Sequence, residues 1–357
     1  MTLSYINRIA CAVPQHDVHQ AFSRFASTLL KDRHDRILFD RMTARAQISH
    51  RWSCLAPAPV GSNDHIDSEG FYRRGRFPTT ATRMNRYEAE APELAAEAVR
   101  RLNLGKQSRD ITHLLVTSCT GFYAPGLDLD IVRRCGLNPS VERTIVGFMG
   151  CNAAMNALKL ARHIVRSEAQ AKVLIVSLEL CTLHLQETAD LEQILAFLLF
   201  GDGCAAALVT SAPEGLSLDR FDTLLVPEAA SEITWRIRDL GFDMLLSSRV
   251  PGSISKALRA SSDRILAGAK SSAINMWAVH PGGRSVLDAV ESALNLDSSA
   301  LAASRAVLRE HGNMSSATVL FVLEALMREE RRPGASGCAM AFGPGLTAET
   351  MLFSQAA

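Results

Sequence analysis

The chain has 357 residues and a formal net charge of +1, with 47% hydrophobic and 21% charged residues. These values are typical of a globular enzyme with one large or two medium domains. A net charge this small excludes a strong general affinity for nucleic acid or anionic membranes, so an anionic substrate requires a local basic patch. The longest apolar run of note, residues 194–200, is far too short to span a bilayer.

The amino-terminal residues and the cysteines predict a cytoplasmic protein. Residues 1–20 contain no basic segment followed by an apolar core, which a secretory signal would require. The 8 cysteines are scattered and include no C-x-x-C pair, which argues against a zinc site and against a disulfide framework. We therefore expect free thiols and no metal site.

Hydrophobic periodicity predicts helices first and then an alternation of strands and helices. Residues 21–51 and 87–102 are predicted helices, and residues 55–83, rich in Pro, Gly, Ser and Asp, are a predicted loop. After residue 111, strands are predicted at 113–118, 143–148, 172–178 and 204–210, with helices at 127–135 and 151–166. Short apolar runs separated by amphipathic helices favour a layered α/β fold.

The second half of the chain repeats this pattern. Strands are predicted at 275–279, 337–342 and 350–354, and helices at 253–269, 283–294, 299–309 and 315–330. GCAAAL at Gly203 and GCAMAF at Gly337 are similar segments, which suggests an internal duplication. We place the boundary near residues 211–215.

Cys151 is the candidate nucleophile. It lies in VGFMGCNAAMNALKLARHIV, where a predicted strand ends at Phe148, Gly150 turns the chain and a helix is predicted to begin at the cysteine. The positive end of a helix dipole favours the thiolate, which is the form that attacks carbonyl carbons. The alternative is a buried structural cysteine.

His280 and Asn313 are candidates for the base and its partner. His280 ends an apolar strand before Pro281 and two glycines, a suitable place for a catalytic histidine, although a core or capping role is the alternative. Asn313 precedes a predicted helix and can serve as a helix cap, or as an amide donor that stabilises an oxyanion or enolate. The three residues occur in the order Cys, His, Asn, and each lies at a junction before a helix. This combination is a more specific sign of a catalytic site than any one of the residues.

These segments resemble the type III polyketide synthases, the chalcone-synthase-like enzymes of the thiolase superfamily. The matching motifs are GFMGCNAA around Cys151, LFGDGCAAAL at 199–208, VPGSISKAL at 250–258, WAVHPGGRSVLDAVE at 277–291, GNMSSATVLFVLE at 312–324 and AFGPGLTAET at 341–350. They cover most of the chain after residue 113, whereas the amino-terminal region matches more loosely.

The resemblance implies a five-layered αβαβα thiolase-like fold built from two similar halves, and a homodimer. Residues 1–213 would carry the nucleophile, and residues 214–357 would carry the histidine and the asparagine. Cys151 would hold the starter acyl group as a thioester. His280 would pair with the thiolate and, with Asn313, bind malonyl-CoA and stabilise the enolate formed on decarboxylation. Coenzyme A thioesters would be the substrates, with no other cofactor.

The resemblance also implies roles for residues around the centre. Phe200 matches a gatekeeper phenylalanine between the coenzyme A tunnel and the cavity, and Met244 falls at a second gatekeeper position that is phenylalanine in the family. Gly282, Gly283 and Ser315 lie in the matching motifs and are expected in the substrate site. Arg41 and Arg45 fall where the family binds coenzyme A phosphates, although Leu38 replaces an expected basic residue.

The expected cavity positions differ from those of the plant enzymes. They are Cys119, Thr120, Cys181, His184 and Trp235, the last in place of a small glycine. Each is also compatible with ordinary core packing. The pattern is similar to that of bacterial members, several of which use fatty acyl-CoA starters. The expected product is therefore an alkylresorcinol, an alkylpyrone or a phloroglucinol.

Three other functions are compatible with parts of the pattern. A ketoacyl synthase III-like enzyme, which condenses once onto acyl carrier protein, shares the order of the three residues, but the HPGG and GNMSSA motifs argue against it. A papain-like hydrolase also uses Cys, His and Asn, but the α/β alternation argues against it. A non-enzymatic scaffold would not need all three residue types.

Overall fold

The computed structural model describes residues 2–62, 64–329 and 332–356. In chain order the first half contains β1 (Tyr5–Ala12), β2 (His16–Asp17), α1 (His19–Leu29), α2 (Arg33–Ala46), β3 (Trp52–Ser53), α3 (Thr80–Arg101), β4 (His113–Ser118), α4 (Leu127–Arg134), β5 (Glu142–Gly147), α5 (Ala153–Ser167), β6 (Val173–Leu180), α6 (Leu191–Phe197) and β7 (Asp202–Thr210). The second half contains β8 (Leu216–Leu225), β9 (Ile233–Arg238), β10 (Gly241–Leu246), α7 (Val250–Ile265), β11 (Met276–Val279), α8 (Arg284–Leu294), α9 (Ala302–His311), α10 (Thr318–Met327), β12 (Ser336–Gly343) and β13 (Thr347–Gln355).

One large sheet runs through both halves. In the described part of the chain its nine strands lie in the order β11-β12-β13-β8-β1-β7-β6-β4-β5. The halves join where β1 pairs with β8, in a short register that contains Tyr5↔Ser217 and Ile6↔Leu216. The strands β9 and β10 form a separate two-stranded hairpin.

The central helices α5 and α10 lie between the two halves of the sheet, and other helices cover the outer face of each half, which gives five layers. Strand β6 is buried along its whole length, and its side chains alternate between two cores, with Val173 and Ile175 facing one and Leu174 and Val176 the other. The first core holds α1, α3 and α4, the central one holds α5 and α10, and a third holds α7 and α8. The expected five-layered αβαβα thiolase-like fold is confirmed.

The two halves share one topology. The order β1-β7-β6-β4 in the first half corresponds to β8-β13-β12-β11 in the second, with two antiparallel pairs followed by a parallel pair in each. This repeated topology agrees with two similar halves, but the segments that suggested a duplication are not counterparts. GCAAAL lies in β7, whereas GCAMAF lies in β12, the counterpart of β6. The predicted boundary falls in the turn before β8.

The amino-terminal predictions need correction. Residues 21–51 contain two helices and not one, because the chain is extended at Leu30 and the side chain of Asp32 caps α2 through the backbone N–H groups of residues 34 and 35. Residues 47–51 are not helical. Helix α3 starts at Thr80, seven residues earlier than predicted, with Thr79 as its N-cap. Residues 80–83 therefore do not belong to the predicted loop.

Other elements were missed or shifted. Strands β1, β8, β9 and β10 and helix α6 were not predicted, because polar residues interrupt their apolar patterns. The helix predicted at 315–330 begins with a 3₁₀ turn at Ser315–Ala317 and continues as α10, and its predicted last residue, Glu330, lies outside the described residues. Among the helices of the described segments, none has the length and hydrophobicity needed to cross a bilayer.

Candidate active site

Cys151 lies in a tight turn between β5 and α5. Phe148 and Gly150 both have positive φ angles, 59° and 84°. A Cβ atom on Gly150 would lie 2.0 Å from Cδ of Pro344, so glycine is required there. The helix begins at Ala153, two residues after the cysteine, and not at the cysteine as predicted.

The surroundings of Cys151 favour the neutral thiol. Burial raises its pKa to about 12, and the charge of Glu179 acts in the same direction, whereas hydrogen bonds from Ser315 and Asn313 oppose the shift. Desolvation therefore opposes the thiolate that the helix terminus is expected to favour. The nucleophile therefore needs a base to remove its proton.

His280 supplies an imidazole beside the turn. It follows β11, and its backbone N–H donates to the carbonyl oxygen of Met340 at 2.7 Å. The side chain is buried, and neither ring nitrogen has a hydrogen-bond partner within the described residues. Burial lowers its pKa to about 3, so the ring is neutral. A neutral imidazole with free nitrogens can accept or donate a proton.

Asn313 is held in a defined orientation. Its backbone pairs with the Phe200 segment, since its N–H donates to the carbonyl oxygen of Leu199 at 2.8 Å. Its side-chain Oδ1 accepts the backbone N–H of Ser315 at 2.8 Å, and Nδ2 donates to the carbonyl oxygen of Gly282 at 3.3 Å. The amide therefore keeps its donor side towards the His280 turn and Cys151.

The three residues line one inner cavity with a volume of about 60 Å³. The same cavity is lined by other residues predicted from the sequence, namely Cys119, Thr120, Cys181, Phe200, Trp235, Met244, Gly282 and Ser315. His184 is not among the lining residues and is fully buried behind them, which corrects its assignment as a cavity residue.

An outer groove with a volume of about 750 Å³ adjoins the inner cavity. The two share Leu246, Val250, Gly282 and Val286 as lining residues. Gly283 and Arg45 line the groove, whereas Arg41 lies one helical turn away and outside the lining. Leu38, where a basic residue was expected, is also outside it.

One residue beneath the site, Glu179, was not predicted from the sequence. Glu179 lies in β6 and is fully buried, and it accepts hydrogen bonds from the Cys119 backbone at 2.9 Å, from Thr120 Oγ1 at 2.9 Å and from the Ser316 hydroxyl. Burial raises its pKa to about 7. A glutamate within an otherwise apolar strand, SLEL, was the available signal. Its bonds hold the segment that carries Cys119 and Thr120.

Comparison with known proteins identifies the family. The family models for chalcone and stilbene synthases match residues 6–213 with the N-terminal domain and residues 219–356 with the C-terminal domain. The chain belongs to this family. It is thus a type III polyketide synthase and an acyltransferase, and the hydrolase and scaffold alternatives are wrong.

Relatives and solved structures agree with this assignment. The chain is similar to bisdemethoxycurcumin synthase of Oryza sativa subsp. japonica, with 33% identity over 346 residues, 91% of this chain and 83% of that protein. It is also similar to the alpha-pyrone synthesis polyketide synthase-like Pks18 of Mycobacterium tuberculosis, with 32% identity over 99% of this chain and 91% of that protein.

The solved structures cover the whole fold. The C-terminal type III polyketide synthase domain of Steely1, a type I/III hybrid from Dictyostelium, has a TM-score of 0.89 and 25% identity over 99% of this chain and 100% of that chain. PKS-I from the brown alga Ectocarpus siliculosus has a TM-score of 0.88 and 28% identity, covering 99% of both chains.

Proposed function

We propose that this type III polyketide synthase repeatedly condenses malonyl-CoA with an acyl-CoA starter at Cys151, His280 and Asn313, and then cyclises the chain. One observation carries the proposal. Three side chains from separate segments line the same buried cavity, and a groove large enough for a ligand shares four lining residues with that cavity. The groove volume falls within the range of about 300–1,000 Å³ that is usual for small-molecule sites.

Loading of the starter requires one proton to move twice. His280 accepts the proton of the Cys151 thiol as the sulfur attacks the thioester carbon of the starter. The carbon–sulfur bond to coenzyme A breaks, and the imidazolium returns the proton to the departing thiolate. Both groups start neutral in the buried cavity, so the charged pair exists only while the substrate is present.

Extension uses the two donors of the site. The Asn313 amide and an N–H of neutral His280 bind the thioester carbonyl of malonyl-CoA, and they stabilise the enolate that forms when carbon dioxide leaves. The enolate carbon attacks the Cys151 thioester, and the cysteine sulfur departs. The lengthened chain then returns from coenzyme A to Cys151 for the next round.

The size of the inner cavity supports a short acyl starter instead of a long fatty one. Its volume of about 60 Å³ is less than a tenth of the groove volume of about 750 Å³. Bulky side chains, including Phe197, Trp235 and Met244, form its walls. We propose a pyrone as the product, since pyrone synthesis appears in the name of the related Pks18.

The assembly is proposed to be a homodimer that forms along strand β5. This strand lies at the end of the nine-stranded sheet in the described part of the chain. Three apolar side chains are exposed nearby, namely Phe122 (39%), Ile145 (45%) and Met149 (48%). Light scattering on the purified protein should give twice the chain mass, and Ile145→Asp should yield monomers. A monomeric wild-type protein would contradict this assembly.

Coenzyme A thioesters supply all the groups that these steps need, so we propose no further cofactor. Among the described residues, no group of three or more His, Cys, Asp or Glu side chains is placed to hold a metal ion. We propose a cytoplasmic location, which the proposed substrates and the eight free cysteines support.

The decisive experiment follows carbon dioxide release and acylation in the purified protein. We expect the wild type to decarboxylate malonyl-CoA, to carry the starter on Cys151 and to release products with two or more added units, detected by mass spectrometry. Cys151→Ala should abolish acylation, whereas Cys135→Ala, at a half-buried cysteine outside the cavity, should not. A single added unit that forms only from carrier-bound malonate would instead support the ketoacyl synthase III-like alternative.

A further inference from the structure

The hairpin of β9 and β10 forms one wall of the inner cavity. Trp235 pairs directly with Met244, and Ile233 with Leu246, and all four side chains line the space that Cys151 also lines. The hairpin is not part of the large sheet. Its position, and with it the space available to a growing chain, therefore depends on contacts with other segments. These contacts include backbone hydrogen bonds from Thr80 to Asp239 and from Gly345 to Ile233, and side-chain contacts near the cavity.

One contact joins the hairpin to the segment beside the nucleophile. The indole N–H of Trp235 donates to the carbonyl oxygen of Cys119 at 2.8 Å. The sulfur of Cys119 in turn accepts the backbone N–H of Gly150 at 3.0 Å, next to Cys151. The cavity wall and the nucleophile are thus linked through Cys119.

His184 makes a second link to the same segment. Its Nε2 lies 2.7 Å from the carbonyl oxygen of Thr120, and its Nδ1 lies 3.1 Å from the backbone nitrogen of Phe242 in β10. A carbonyl oxygen only accepts and a backbone N–H only donates, so Nε2 must carry the proton and Nδ1 must not. The two bonds together require the neutral imidazole with its proton on Nε2.

The surroundings of His184 agree with a bridging role. The ring is fully buried, stacks on Phe242 with centroids 4.1 Å apart, and lies edge-on to Trp235 at 5.6 Å. Burial lowers its pKa to about 3, which keeps the ring neutral. Both nitrogens are engaged and the ring is outside the cavity lining, so no polar atom is left for a substrate.

We propose that His184 is a positioning residue that fixes the hairpin to the Cys119–Thr120 segment and so limits the length of the polyketide chain. The inference rests on the iterative condensation proposed above. Without this bridge the wall that carries Trp235 and Met244 moves away from Cys151, and the cavity admits further malonyl units.

The test compares product lengths in variants of His184. His184→Phe keeps a ring but loses both hydrogen bonds. We expect the ratio of products with one extra malonyl unit to products of normal length to rise at least about fivefold. His184→Gln provides one donor and one acceptor, so its ratio should stay within about twofold of the wild type. Mass spectrometry at equal substrate conversion measures these ratios.

Two further variants separate positioning from general stability. Phe25→Leu lies in the outer core of the first half and should lower the melting temperature without changing the ratio. Trp235→Phe keeps an aromatic wall but loses the bond to Cys119, and it should shift the ratio in the same direction as His184→Phe. If His184→Phe does not fold, the product ratio of Trp235→Phe provides the test instead.

The outcomes are distinct for the two proposals. An unchanged product ratio in His184→Phe, or in Trp235→Phe where the former is unfolded, overturns the role of His184 while the wild type still makes polyketides. A wild type that neither decarboxylates malonyl-CoA nor acylates Cys151 overturns the proposed function, and the role of His184 with it. Longer products from His184→Phe, together with products of normal length from His184→Gln, support the role of His184 in holding the hairpin.

Discussion

The inner cavity has a volume of about 60 Å³ and the outer groove one of about 750 Å³, although they share four lining residues. The cavity is lined mainly by apolar side chains, and Cys151 and His280 are both neutral within it. The groove contains Arg45, Glu192, Arg284 and Asp288. None of the described residues that line the cavity is Asp, Glu, Lys or Arg, whereas the groove is lined in part by charged side chains.

This difference assigns different tasks to the two regions. In a buried apolar cavity a hydrogen bond to a developing charge is worth more than in water, so a few donors suffice for the chemistry. In the groove, charges are screened by solvent and each contributes little. Changes in the cavity should therefore affect turnover, and changes in the groove should affect substrate binding.

The largest effect is expected from removing a donor in the cavity. Asn313→Ala and His280→Ala should each lower the rate of malonyl-CoA decarboxylation by about 10²–10³-fold, because enolate stabilisation is lost. Asn138→Ala, at an exposed asparagine, is the matched control. The rates are measured by carbon dioxide release. Near-normal turnover in either cavity variant would contradict the difference drawn between the cavity and the groove.

The pH dependence of alkylation tests the neutral state of Cys151. Burial raises its pKa to about 12, so the thiolate fraction increases with pH throughout the neutral range. The rate of modification by iodoacetamide should then rise about tenfold per pH unit between pH 7 and 9. Peptide mass spectrometry locates the label on Cys151. A plateau below pH 8 would instead indicate a stable thiolate–imidazolium pair.

A smaller effect is expected from widening the cavity. Trp235→Ala should raise the preference for a medium-chain over a short-chain acyl-CoA starter by about tenfold, because a large wall residue is removed. Competition between acetyl-CoA and octanoyl-CoA measures this preference. Trp52→Phe, which alters a tryptophan outside both linings, should leave it unchanged. Equal preferences in all three proteins would show that Trp235 does not limit starter size.

The smallest effect is expected in the groove. Arg45→Ala should raise the KM for malonyl-CoA by about two- to fivefold with little change in kcat, because an exposed charge contributes about 1 kcal/mol or less. The increase should shrink at high salt. Arg41→Ala, outside the lining, serves as the comparison, and an equal change in both variants would argue against a specific role for Arg45.

Local sequence patterns were sufficient for several parts of the molecule. The buried strand at residues 113–118 and the strand–turn–helix around Cys151 were recognised because apolar periodicity and a glycine turn are local signals. They failed for α1 and α2, where one periodic stretch contains a break at Leu30, and for β9 and β10. The hairpin mixes polar and apolar residues because only one of its faces meets the cavity.

The sequence by itself determined the residue types of the site, their order along the chain and the family to which they belong. Only the tertiary structure decided that Cys151, His280 and Asn313 share a cavity, that His184 is a bridge behind its wall, and that Glu179 lies beneath it. The reason is physical. Hydrogen bonds and desolvation depend on which segments pack together. Some of those segments, such as the ones that carry Cys151 and Asn313, are more than 100 residues apart along the chain.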